Sequence, residues 1–219
     1  MKVEKVVIFG TGTFADIVKY YLDQDERFEV VAFTSSETTL KDYQGLVHVS
    51  FSEVSKIYPS SEYKMFIAVG YRKMNSIRER FYNEAKGLGY SLITYVHPNV
   101  VRWPNVVIGD NCFIFEDNTI QPFSKIGNNV VLWSGNHIGH HASIGDHTFI
   151  SSHVVVSGQV NIGKNCFIGV NTSIRDTIDI GNRNLIGAGA IIMKTTKDNE
   201  AYVPTRTNSY HKTVDEIDF

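Results

Sequence analysis

From Ile108 onward every sixth residue is aliphatic: Ile108, Ile114, Ile120, Ile126, Leu132, Ile138, Ile144, Ile150, Val156, Ile162, Ile168, Ile174, Ile180, Ile186 and Ile192. The fifteen positions run without a miss or an insertion. Glycine follows in eight of the fourteen complete hexads: Gly109, Gly127, Gly139, Gly145, Gly163, Gly169, Gly181 and Gly187. A period of six fits neither a helix nor an alternating strand. It predicts a β-solenoid whose coils turn the same slot inward on every flat face.

Residues 1–97 follow a different pattern and are expected to form a separate α/β domain, with the solenoid domain over 98–219. Val6–Gly10 reads as a buried strand, followed by Gly10-Thr11-Gly12-Thr13-Phe14-Ala15 and an amphipathic helix to about Leu22. Further strands are expected at Phe28–Phe33, Met65–Gly70 and Ser91–Val96, and helices at Ser52–Tyr58 and Met74–Lys86. Alternating strand and helix signals imply a small parallel sheet, half of a dinucleotide-type fold. Pro98 and Pro104 punctuate the junction. The polar tail from Met193 is expected to be irregular.

A net charge of −2 and a pI near 6.4 argue against a nucleic-acid partner. The opening apolar run is too short to span a bilayer and has no cleavage-site pattern, so no membrane association and a cytoplasmic location are expected.

A strand, then G-x-G-x-x-A, then a helix is the setting of a phosphate site, where backbone amides and the positive helix end face an anion. A dinucleotide domain would add an acidic residue about 20 positions on, for the ribose. Here that stretch reads Val30-Val31-Ala32-Phe33-Thr34-Ser35. A nucleoside diphosphate-sugar is therefore favoured over NAD, and a ligand-free tight turn is the alternative. Tyr71-Arg72-Lys73 follows the third strand, where open α/β sheets bind ligands. Arg72 or Lys73 could pair with phosphate, or simply begin a solvated helix.

The hexads resemble those of the hexapeptide-repeat acyltransferases, left-handed parallel β-helices with three hexads per coil. The left hand is implied by the resemblance; crossover connections generally favour the right. With eighteen residues per coil, Cys112 and Cys166 lie three coils apart, roughly 14 Å, too far for a disulfide. Five of the eight histidines fall at 137, 140, 141, 147 and 153. His140 is the third residue of its hexad, and Gly158 occupies that slot one coil later, about 5 Å away. This sets a general base beside a backbone N–H able to hold an oxyanion, as attack on a thioester requires. His153, between Gly135 and Asn171, is the second candidate base. Ser134, Ser152, Val170 and Ala188 form another third-position column, a groove pantetheine could follow. Trp133 stands where glycine is commonest, which suggests a subunit contact or a substrate wall.

The pairing of an α/β domain with hexads is similar to the NeuD/PglD-like sugar O/N-acyltransferases of the bacillosamine, perosamine and sialic acid type. The resemblance covers about residues 4–205. It implies acetyl-CoA as cosubstrate, no metal, a nucleotide-linked amino-deoxy sugar as acceptor, and a role in surface polysaccharide or O-antigen biosynthesis. It implies a homotrimer with each active site between subunits. The family's I-x-H base matches Ile138-Gly139-His140, its thioester-holding amide matches Gly158, and further coenzyme A contacts map to Val170 and Ala188. The residue after the base, often acidic in relatives, is His141 here, leaving Asp117 or Asp146 as candidate orienting groups. A family histidine that contacts the sugar is replaced by Phe149. O-acetylation of a free sugar is the rival activity. A zinc carbonic anhydrase needs three convergent histidines at a five-residue step, which spacings of 3, 1, 6 and 6 do not provide. A non-catalytic scaffold is the remaining alternative.

Overall fold

The computed structural model describes residues 3–209, 211 and 214–216. The tail expectation at 210, 212–213 and 217–219 lies outside the described residues. The N-terminal part runs β1 (Glu4–Phe9), α1 (Thr13–Asp23), β2 (Phe28–Ser35), β3 (Asp42–Tyr43), β4 (Leu46–Ser50), α2 (Val54–Ile57), β5 (Lys64–Ile67) and α3 (Ser76–Gly87). Its sheet order is β3-β4-β2-β1-β5, parallel except for the β3–β4 hairpin. That hairpin turns on Gln44 and Gly45, both at positive φ, the type I′ geometry that matches strand twist. No strand was expected there, because Gln-Gly is a weaker turn signal than Asn-Gly.

The expected strand Ser91–Val96 does not exist as one element. Leu92 makes a single bridge to Met65, and Tyr95–Val96 instead opens the solenoid by pairing with Phe113–Ile114. Thr94 makes the switch: its hydroxyl donates to Gly109 O and accepts from Cys112 N–H. The helix expected from Met74 begins at Ser76, because Lys73, Met74 and Asn75 are all left-handed (φ 53°, 52° and 62°).

The solenoid is a triangular prism of three parallel sheets, with seven strands (Tyr95–Val96 to Ala201–Tyr202), six (Val101–Arg102 to Ile191–Ile192) and five (Val107–Ile108 to Asp179–Ile180). Each strand pairs with the one eighteen residues on, until Leu185 pairs with Ala201 in a shorter last coil. The hexad aliphatics fill the interior. Buried Cys112 and Cys166 sit among them as free thiols, pushed up to about 12 and about 11 by burial. Every corner places its fourth hexad residue in the left-handed region, from Asn111 through Gly189. Asn, Asp and His accept that conformation most readily after glycine.

Three edges result. The first, after the seven-stranded sheet, carries residues 133–136 and 151–154; the second carries 139–142 and 157–160; the third carries 109–112, 127–130, 145–148 and 163–166. The α/β part packs on the seven-stranded sheet, whose outward residues Tyr95, Phe113, Val131 and Phe149 join Val6, Ile8, Leu22 and Phe66 in one core. The seam follows the third edge. Arg78 is fully buried there. It donates to the backbone oxygens of His147 (2.9 Å), Asn129 (3.3 Å) and Thr148 (3.4 Å) in the solenoid, and of Gly70 (3.3 Å) and Val69 (3.4 Å) beside it. Burial pulls its guanidinium down to about 9, so it stays charged at neutral pH. Asn111 caps the free edge of β5, accepting from Ile67 N–H at 2.8 Å.

Arg78→Ala is expected to destabilise the fold by roughly 2–4 kcal/mol in urea unfolding, since it leaves a cavity and buried carbonyls without donors. Arg78→Lys should recover little of this, because one ammonium cannot reach both sides of the seam.

Candidate active site

The glycine loop runs from β1 into α1. Gly10 has φ 128°, and a Cβ there would lie 2.6 Å from Ala68 O, so only glycine allows the close pass over β5. Gly12 caps α1 without a side-chain bond, leaving the first helical amides open to a ligand. A cavity of about 660 Å³ opens here, lined by Gly10, Thr11, Gly12, Thr13, Phe14, Ile17, Ala68–Arg72, Ile77, Trp133 and Phe149. Two residues proposed for this site lie elsewhere. Ala15 is fully buried, its Cβ packed against the position a Gly10 side chain would occupy. Lys73 is exposed on the left-handed turn and does not line the cavity.

One cavity wall is aromatic. Trp133 stacks on Phe115 (4.5 Å, 8°), Phe149 on Phe167 (5.7 Å, 15°), and Tyr71 touches Phe149 and Phe167 at 5.0 and 4.7 Å. The lining also offers the amides at the start of α1 and Arg72. Asp16, the acid in the first turn of α1, accepts from Tyr43 Oη at 2.6 Å and from Gln44. Next to the aromatic wall, Glu116 accepts from Tyr21 Oη (2.8 Å) and Ser134 Oγ (2.6 Å). Burial pushes this carboxyl up, but those bonds outweigh it and hold it below the usual range. Glu116 shares the third-position column with Ser134, a signal that could have identified it.

On the second edge, the His140 ring lies over Gly158: a Cβ on Gly158 would sit 2.7 Å from Nε2. No hydrogen bond from the Gly158 N–H is found among the described residues. The His140 N–H donates to Gln121 Oε1 at 2.9 Å. Within one chain neither Asp117 nor Asp146 reaches His140. Asp117 turns the first edge, and Asp146, on the third, accepts from Asn128 N–H and pairs with Lys164. The neighbour of Nδ1 is His141 Nδ1, at 3.2 Å.

His141, His147 and His153 all occupy left-handed corners. His147 is buried at the domain seam beside Asn129 and Glu79; burial lowers its pKa more than the Glu79 and Asp146 carboxylates raise it. His153 covers Gly135 on the first edge, as His140 covers Gly158 on the second. The histidines are thus spread over three edges, and no group of three metal-ligating side chains forms among the described residues. No described helix is long and apolar enough to cross a membrane. Ser134, Ser152, Val170 and Ala188 stack along the first edge, with Val170 and Ala188 exposed. One chain therefore places the cavity and this column on one edge, and the His140–Gly158 pair on the next.

Residues 5–85 match the PglD N-terminal domain family, residues 123–158 the bacterial transferase hexapeptide (six repeats), and residues 159–194 the hexapeptide repeat of succinyl-transferase. Among solved structures, PerB from Caulobacter crescentus, in complex with CoA and GDP-perosamine, superposes with a TM-score of 0.80 at 23% identity over 91% of this chain and 94% of that one. The acetyltransferase domain of PglB from Neisseria gonorrhoeae FA1090 gives 0.81 at 21% identity over 90% and 95%. WeeI from Acinetobacter baumannii AYE gives 0.80 at 19% over 92% and 97%. The shared fold is an α/β domain followed by a left-handed parallel β-helix. No curated protein matches the chain.

Gly10→Ala should cost about 1–3 kcal/mol in thermal or urea unfolding, given its positive φ and the Ala68 carbonyl in its way. Gly12→Ala, with φ −113° and open space around its Cβ, should stay within about 0.5 kcal/mol of the parent.

Proposed function

Because the chain belongs to the NeuD/PglD-like family of hexapeptide-repeat sugar acyltransferases, we propose that it is an acetyl-CoA-dependent N-acetyltransferase acting on a nucleotide-linked amino-deoxy sugar. The observation that carries this reading is the His140 ring lying over Gly158. An imidazole and a backbone N–H one coil apart are the two groups that aminolysis of a thioester requires. The sugar amine attacks the thioester carbonyl while His140 Nε2 removes its proton. The Gly158 N–H holds the oxyanion of the tetrahedral intermediate. The C–S bond breaks, and the proton passes to the departing coenzyme A sulfur. Acyl transfer is direct, with no covalent enzyme intermediate.

The cavity suits the acceptor. The amides at the start of α1 and Arg72 offer phosphate contacts, and Trp133, Phe149 and Tyr71 offer flat surfaces to a base or sugar ring. PerB, bound to CoA and GDP-perosamine, is one fold relative whose ligands agree with this assignment. Coenzyme A would follow the Ser134–Ser152–Val170–Ala188 column, with Gly158 at its reacting end. These parts lie on two different edges, so the complete site takes the first edge of one copy and the second edge of another. A closed ring satisfies both edges of every copy, and the family resemblance makes that ring a homotrimer. Val101, Val155 and Ile191, exposed on the six-stranded sheet between the two edges, favour such burial. Acetyl-CoA and a nucleotide-sugar as substrates carry with them a cytoplasmic location.

His140→Ala or His140→Asn should lower kcat by about 10²–10⁴-fold, the usual worth of a general base. KM for acetyl-CoA should change little. His153→Ala should cost roughly tenfold or less, because its ring covers Gly135 and not the Gly158 amide. Thiol release from acetyl-CoA with a panel of amino-sugar and hydroxy-sugar nucleotides reads all three variants and separates N- from O-acylation. A His140→Ala enzyme at parental turnover beside a dead His153→Ala enzyme would move the chemistry to the first edge.

A further inference from the structure

Building on the assignment of His140 as base, we propose that His141, clamped on Phe123, positions it: His141 Nδ1 accepts the His140 Nδ1–H and so leaves Nε2 bare beside Gly158. The two Nδ1 atoms stand 3.2 Å apart. At that separation one ring must carry the proton and the other the lone pair, since two donors or two acceptors repel. The tautomers of the two rings are therefore linked. When His140 donates, its lone pair is on Nε2, the ring atom nearest the point where a Gly158 Cβ would stand. That is the tautomer able to take a proton from an amine.

The surroundings hold the pair in place. The His140 N–H is fixed by Gln121 Oε1, its carbonyl accepts from Gln159 N–H at 2.9 Å, and the His141 N–H donates to Pro122 O at 3.2 Å. Phe123, one coil below, stacks on the His141 ring at 4.6 Å and 24°. Phe123 is 57% exposed and left-handed at φ 66°, an uncommon conformation for a bulky residue. Holding the His141 ring gives that residue a purpose its own burial does not.

No carboxylate bonds either ring among the described residues. The chargeable residues of the same chain on the adjoining strands and turns are Lys125 below, His137 at the end of the preceding hexad, and Arg175, Asp176 and Asp179 one coil above Gly158. A neutral imidazole fixes the tautomer as a carboxylate would, but through a hydrogen bond that brings no counter-charge to the imidazolium that forms.

The test uses long-range ¹H–¹⁵N spectra of the imidazoles in the full-length protein at neutral pH, together with kinetics. In the parent protein His140 should be protonated on Nδ1 and bare on Nε2. H141N should preserve this, because its amide oxygen accepts the same bond and asparagine tolerates the left-handed corner. H141A should lose the preference and lower kcat by about 10- to 100-fold, part of what the base itself contributes, with KM for acetyl-CoA nearly unchanged. H141E should stay active, with the acid limb of its kcat/KM profile moved to higher pH, because a carboxylate stabilises the protonated base. A His140 tautomer that is the same in the parent and in H141A, or an H141A enzyme with parental kcat and pH profile, would overturn the proposal. The spectra report on the pair without reference to turnover. An active His140→Ala enzyme would remove the base assignment while the tautomer result still decided the role of His141.

Discussion

Eighteen-residue stacking is the constraint on which everything else in this molecule depends. Each residue of the solenoid sits directly over the residue one coil earlier, tied to it by the parallel ladder. A slot is therefore a column, and the three edges carry three unrelated sets of columns. The third edge stacks Asn111, Asn129, His147 and Asn165 and holds the α/β part. The second stacks His140 and Gly158, and the first stacks Trp133 with the small-residue column. One repeat unit thus supports three jobs without compromise among them, because a change in one column leaves the others in place.

The seam turns two structural parts into one cavity. Arg78 bonds carbonyls on both sides of it, so the turn that follows β5 is referenced to the solenoid backbone and not to solvent. Asn75 adds a second tie, its amide donating to Cys166 O at 2.9 Å. The left-handed run Lys73–Asn75 is costly for L-residues, and these bonds offset it. Its effect is to bring Tyr71 onto Phe149 and Phe167, which completes the aromatic wall.

The inward half of the repeat is legible in every hexad, and the outward half only when the hexads are read three at a time. A strict period of six suffices for the prism and, with three hexads per coil, for the stacking of Gly158 on His140. The same arithmetic reveals the docking face. The residue just before each aliphatic is apolar in every third hexad, at Tyr95, Phe113, Val131, Phe149, Phe167 and Leu185. The five clustered histidines suggest chemistry as a group, yet three of them are corner residues in a conformation histidine tolerates. Arg78 could not be found from its neighbours, because its partners are backbone carbonyls brought in by tertiary packing. Ala15 is buried for a local reason: the third small residue of the glycine motif packs the helix onto the strand. The Ser91–Val96 segment was a true apolar run whose destination changed at Thr94, a hydrogen-bonding event no propensity records.

The central claim is that the chemistry is shared between copies, with the base on the second edge of one and the cavity on the first edge of its neighbour. Subunit complementation tests it most directly. Two inactive variants, His140→Ala and an Arg72→Glu, Trp133→Ala cavity mutant, are unfolded together, refolded as a mixture and assayed for acetyl transfer. A site shared around a ring regains one working centre in every mixed trimer, so random mixing restores about a quarter of the parental activity. A site contained within one chain leaves the mixture as inactive as its components, and that result would contradict the account.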